Sequence, residues 1–147
     1  MTAPAATERE STERESTERD STEQTTQAEL EAMVRGMCAA ADAGDGPAFA
    51  AYFTETARFR FGNNEPITGR AAIAASTEGT VDAIWPVRHS VDQVAQVGPQ
   101  LFCRFTIRVT KPGGAEIALP CVTVIELRED GLITDYAVHM DISPALR

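Results

Sequence analysis

Between Gln27 and Ala43 the apolar residues Leu30, Met33, Val34, Met37, Cys38 and Ala41 recur on one stripe among good helix formers, which predicts a first helix. Ala43-Gly44-Asp45-Gly46-Pro47 stops it, and Asp45 is placed to cap a second short helix through Pro47, Phe49, Tyr52 and Phe53. Ala57 to Phe61 then alternates with period two and runs into Gly62-Asn63-Asn64, a strand followed by a turn. Gly69-Arg70 opens a third helix, expected to reach about Ala83, with Ile73 and Val81 on it and Gly79 in its far half. Four strands follow at regular spacing: Val87–Val97, Leu101–Thr110, Glu116–Arg128 and Leu132–Met140. Gly98-Pro99, Lys111-Pro112-Gly113-Gly114 and Glu129-Asp130-Gly131 separate them, each with the residue chemistry of a tight turn. This order predicts an α+β fold, a cone-shaped roll. Three N-terminal helices pack on a curved, mostly antiparallel sheet that encloses an apolar cavity.

Upstream of these elements the pattern vanishes. Thr7 to Glu23 repeats a five-residue unit of Thr, Glu, Arg, Ser and Asp with no apolar side chain, so it cannot bury enough surface to offset its chain entropy. Residues 1–26 are expected to be a disordered tail and 27–147 the folded domain, large enough for a two-layer core. The chain has 13 basic and 22 acidic residues, a net charge of −9, and the first 29 residues hold eight of the acids and three of the bases. No basic stripe is present to displace counterions, which argues against a nucleic-acid partner. No apolar run reaches the roughly 18 to 20 residues that cross a bilayer, so the expectation is a cytoplasmic protein without membrane contact. Cys38, Cys103 and Cys121 are widely spaced in apolar surroundings with no metal-ligand spacing; they read as small core residues. No metal or cofactor is expected.

The order of elements, with Ala-Gly-Asp at 43–45, Tyr-Phe-Thr-Glu at 52–55, Gly-Arg-Ala-Ala-Ile at 69–73 and Asp-Gly-Leu-Ile at 130–133, resembles a SnoaL-like domain of the nuclear transport factor 2-like superfamily. Phe59-Arg-Phe-Gly-Asn63 and Asp141-Ile-Ser-Pro144 extend the resemblance over about Glu29 to Leu146. It implies a deep apolar cavity, occupied in different relatives by steroids, polyketides or epoxides, and often a homodimer; the reaction has to be argued from the cavity residues. The tyrosine and two aspartates that ketosteroid isomerases use fall near Met37, Phe61 and Thr123, none of which can shuttle a proton between carbons. Limonene epoxide hydrolases come nearer. Asn63 and Arg104 match their asparagine and arginine, while their two aspartates fall at Thr106 and Val138.

His89, at the start of the first of the four late strands, is the sharpest candidate for chemistry. Walled into an apolar cavity, an imidazole can serve as general acid or base; the competing reading is a strand-end histidine bonded to backbone. Period two places Arg104, Thr106 and Arg108 on one face and Cys103, Phe105, Ile107 and Val109 on the other. Periodicity alone turns the arginines to water, whereas the resemblance turns Arg104 toward the cavity, where it would polarise a carbonyl or hold an enolate. On the last strand Tyr136, Val138 and Met140 form the expected cavity wall, with His139 and Asp141 outside. The reading is a cofactor-independent acid–base enzyme for a hydrophobic small molecule, polyketide- or terpenoid-like, acting by cyclisation, isomerisation, dehydration or epoxide opening. His89 and Arg104 are its catalytic residues, and Asn63, Phe61, Thr106, Trp85, Tyr136 and Val138 its ligand contacts. The alternative is a non-catalytic ligand-binding or dimerisation module.

Overall fold

The computed structural model describes residues 27–84 and 86–147, and for 81–84 the backbone alone. The disorder expected of residues 1–26 and the wall position expected of Trp85 fall outside the described residues. The chain forms two units, Met1–Met33 and Val34–Arg147. In the first, the described residues are the opening turns of helix α1, which runs over 27–42. The second unit contains everything else.

Val34, Met37 and Cys38 of α1 are buried, as the stripe predicted. Gly44, at φ 67°, lets the chain reverse, and the Asp45 carboxylate accepts from the Ala48 N–H at 3.1 Å to cap α2, Gly46–Ala50. This helix is shorter than its sequence suggested: Phe53, expected on the helix, instead opens strand β1, Phe53–Phe61. Tertiary bonds decide the matter, because the Tyr52 carbonyl accepts from the Ile133 N–H at 2.9 Å and the Phe53 carbonyl accepts from Arg70 Nε and Nη2 at 3.0 and 2.6 Å. Those carbonyls are thereby drawn out of any helical ladder.

A two-residue strand, β2 (Ile67–Thr68), pairs back on β1, and Gly69, at φ 100°, turns the chain into helix α3, Arg70–Ile84. Strands β3 (Val87–Val97), β4 (Gln100–Thr110), β5 (Glu116–Leu127) and β6 (Ile133–His139) follow, and a short 3₁₀ turn over Ser143–Leu146 comes last. The sheet order is β2-β1-β6-β5-β4-β3; only β1 and β6 pair in parallel. This is the α+β architecture read from the sequence, with helices against a six-stranded, mostly antiparallel open sheet.

Alternation sorts the side chains. Leu101, Cys103, Phe105, Ile107 and Val109 of β4 are buried, facing Leu119, Cys121, Thr123 and Ile125 of β5. A bulge between Val91 and Gln93 resets the phase of β3, so that both His89 and Val94 share the inner face. The outer face carries the half-exposed Phe102 and Val122.

Candidate functional site

The inner face of the sheet and the helices above it leave a cavity of about 340 Å³. Its sheet wall is made by Phe59 and Phe61 of β1, Val87 and His89 of β3, Ile107 of β4, Cys121 and Thr123 of β5, and Tyr136 and Val138 of β6. Phe49 of α2 closes it from above. Ser76, Thr77 and Thr80 of α3 lie along one side, and Met140, Ile142 and Leu146 along another. Phe59 stacks on Tyr136 at 5.1 Å between ring centres, and Phe49 meets both edge-on, a set of preferred aromatic geometries that holds this end of the wall rigid.

Two polar clusters interrupt the apolar lining. On the floor, Thr123 is 1% exposed and shares a hydrogen bond with the Tyr136 hydroxyl. Burial, with the neighbouring cysteines adding to it, pushes the Tyr136 hydroxyl well above its ordinary range, so it stays protonated and neutral. The Cys121 thiol, also raised by burial, lies 3.7 Å from Thr123 Oγ1.

The second cluster joins α1 to β3. Asp42, the last residue of α1, holds His89 through both oxygens: Oδ1 is 2.5 Å from the ring Nδ1, and Oδ2 accepts from the His89 backbone N–H at 2.9 Å. The side chains are 20% and 22% exposed, and both line the cavity. An ionised carboxylate can only accept, so the neutral ring carries its hydrogen on Nδ1 and keeps a lone pair on Nε2. Phe105 packs edge-to-face with the ring at 5.8 Å. The arrangement can accept a proton, hold the resulting imidazolium beside its carboxylate, and return the proton, which is general acid–base chemistry.

The structure brings together His89, Phe61, Tyr136 and Val138 from the residues singled out by sequence, and leaves three others outside. Arg104 is exposed on the opposite face of the sheet, across from Gln93 and Val122. Thr106 shares that outer face and donates to Asp92 Oδ2 at 2.8 Å. Both belong to the polar half of a strand whose apolar half fills the core, so the periodicity of β4 prevails over the position implied by the epoxide hydrolases. Asn63 is exposed in the turn after Gly62, and its neighbour Asn64 lines the cavity instead. His139 and Asp141 are exposed, as the alternation of the last strand predicted.

Sequence reasoning missed Asp42, the α3 hydroxyls and the use of Thr123. A signal for Asp42 was present. It continues the i, i+4 series of Val34 and Cys38, so a carboxylate falls on the buried stripe of the helix.

Residues 34–136 match the family model described as the SnoaL-like domain. No curated protein matches the chain in sequence. Among solved structures, a protein of ketosteroid isomerase-like fold from Catenulispora acidiphila, in complex with trimethylamine, is 19% identical with a TM-score of 0.68; the match covers 77% of this chain and 88% of that one. The epoxide hydrolase/cyclase-like enzyme SalBIII, of pyran ring formation in the polyether salinomycin, is 20% identical with a TM-score of 0.67, covering 79% and 93%. A candidate SnoaL-like polyketide cyclase from Jannaschia sp. CCS1 is 16% identical with a TM-score of 0.62, covering 77% and 88%. At these identities the structural likeness speaks for the fold alone, while the family match spans most of the sequence: the chain belongs to the SnoaL-like domain family.

Proposed function

We propose that this chain is a cofactor-independent enzyme that moves a proton on a hydrophobic small molecule, with His89 as general base and acid and Asp42 as the residue that positions it. The observation carrying this reading is the two-oxygen grip of Asp42 on His89 at the wall of a largely apolar cavity. Such a histidine suits enolisation, cyclisation, dehydration or the opening of an epoxide, reactions that differ in substrate more than in what they ask of the base. The names of the structural relatives, an epoxide hydrolase/cyclase-like enzyme among them, point the same way.

The test is a panel of lipophilic ketones, lactones and epoxides, followed by deuterium uptake from D₂O next to the carbonyl and by ring opening. One class should react. His89→Ala should then lose about a hundredfold or more in rate with the fold intact, and a variant retaining full rate would overturn the assignment. Asp42→Asn should lower kcat more than it raises KM and displace the pH–rate profile; a purely structural role would leave the profile in place.

A non-catalytic ligand-binding module is the second reading. It is favoured by the fact that Asp42 is the sole carboxylate among the described residues lining the cavity. Saturable binding without exchange or ring opening in any class would select it.

A further inference from the structure

The strands of the sheet contain five arginines, Arg58, Arg60, Arg88, Arg104 and Arg108, and no lysine. Each alternates with a residue of the inner face: Arg58 and Arg60 with Phe59 and Phe61, Arg88 with Val87 and His89, Arg104 and Arg108 with Phe105 and Ile107. Every one of these cations therefore points away from the cavity. Among the described residues no lysine or arginine lines it, and residues 81–85, whose side chains lie outside the description, are Val, Asp, Ala, Ile and Trp in the sequence.

Some of the neutral donors already have acceptors, and Ser76 and Asn64 add a hydroxyl and an amide, neither of them charged. Thr77 and Thr80 donate their hydroxyl hydrogens to the Ile73 and Ser76 carbonyls at 3.0 and 2.9 Å, and the bond between the Thr123 and Tyr136 hydroxyls uses one of their two hydrogens. When His89 is neutral, Asp42 gives its corner a charge of −1; when His89 is protonated, the pair sums to zero. Arg147, exposed at the chain end beside Leu146, interacts with the carboxylate of Asp141.

We propose that the cavity admits lipophiles whose buried part is uncharged and excludes those that would bury a carboxylate, sulfonate or phosphate. This deepens the proposed function and rests on the cavity being the substrate site. An anion entering it gives up its hydration, finds no fixed cation, and meets a like charge on Asp42. A neutral isostere gives up far less.

The experiment uses the full chain and the neutral fluorescent probe N-phenyl-1-naphthylamine, displaced by either 2-naphthamide or 2-naphthoate, which share shape and differ by one charge. Naphthamide should displace the probe, and naphthoate should require about tenfold or more higher concentration, the ratio expected of one like charge a few ångströms away. Thr80→Lys places a cation at the exposed rim, so in that variant naphthoate should come within a few-fold of naphthamide. Equal displacement by the two ligands in the unaltered protein would overturn anion exclusion while leaving the site reading intact. A naphthoate that stays as weak in Thr80→Lys would overturn its electrostatic cause. Failure of the probe to bind at all would remove the site reading and this inference together.

Discussion

A carboxylate at the C-terminal end of a helix sits against the partial negative charge of the last carbonyls, an arrangement helices ordinarily avoid. Asp42 ends α1 in that position, and its two hydrogen bonds to His89 supply what the helix end does not. The same residue lies among the causes that raise the Cys38 thiol, although burial is the larger one; together they push it up to about 12. Cys103 is raised to about 12, again chiefly by burial. All three cysteines are buried and free. They should be silent toward 5,5′-dithiobis(2-nitrobenzoate) near pH 8 in the native protein, because neither thiolate nor access is available. Guanidinium should release three equivalents. Rapid labelling of the native chain would mean that the core opens readily, contrary to the packing of Cys38 and Cys103 described above.

At the level of elements, the close approach of α2 to α3 depends on one missing side chain. A Cβ on Gly46 would lie 2.3 Å from the Ala74 carbonyl oxygen and 2.9 Å from atoms of Glu78. The Glu78 side chain can swing aside, but the carbonyl belongs to the helix backbone and cannot. Gly46→Ala should therefore destabilise by about 1–3 kcal/mol despite alanine's better helix propensity, read as a lower urea midpoint with unchanged slope. An unchanged midpoint would show that the two helices separate without strain. Helix α3 runs through Gly79, and Thr77 and Thr80 on either side of it turn their hydroxyls back onto carbonyls of the preceding turn. The early start of β1 at Phe53 departed from the sequence pattern because its partners come from other segments, the Ile133 backbone and the Arg70 side chain, while the two-residue β2 exists only through its pairing with Arg58 and Phe59 of β1.

Across the whole molecule the sheet acts as a partition, with apolar side chains and one histidine inside and the arginines outside. Arg104 belongs to the outer set, so Arg104→Ala should leave the unfolding free energy, read by urea titration, within about 0.5 kcal/mol of the parent. Displacement of N-phenyl-1-naphthylamine by naphthamide should be unchanged in that variant. A tenfold loss of ligand binding would instead require the arginine to reach the cavity, which its exposure across from Val122 opposes. The face of Arg104 was legible in the alternation of Cys103, Phe105 and Ile107, and so was the wall formed by Tyr136 and Val138. Counting positions against relatives was the weaker guide, because one residue of slippage at a bulge or turn exchanges inside for outside.

Taken alone, the sequence determined the order of the main elements, the turns between the late strands, and which half of β4 and β6 faces the core. Those features are set by local periodicity, by glycine where φ is positive, and by capping residues, all of which act within a few positions of one another. Only the tertiary structure decided which residues meet. Asp42 and His89 are 47 positions apart, and neither strand nor helix periodicity states that the end of α1 reaches the start of β3. The packing of α1 and the sheet into one core brings them within hydrogen-bond reach, because each carries apolar neighbours that must be buried in the same interior.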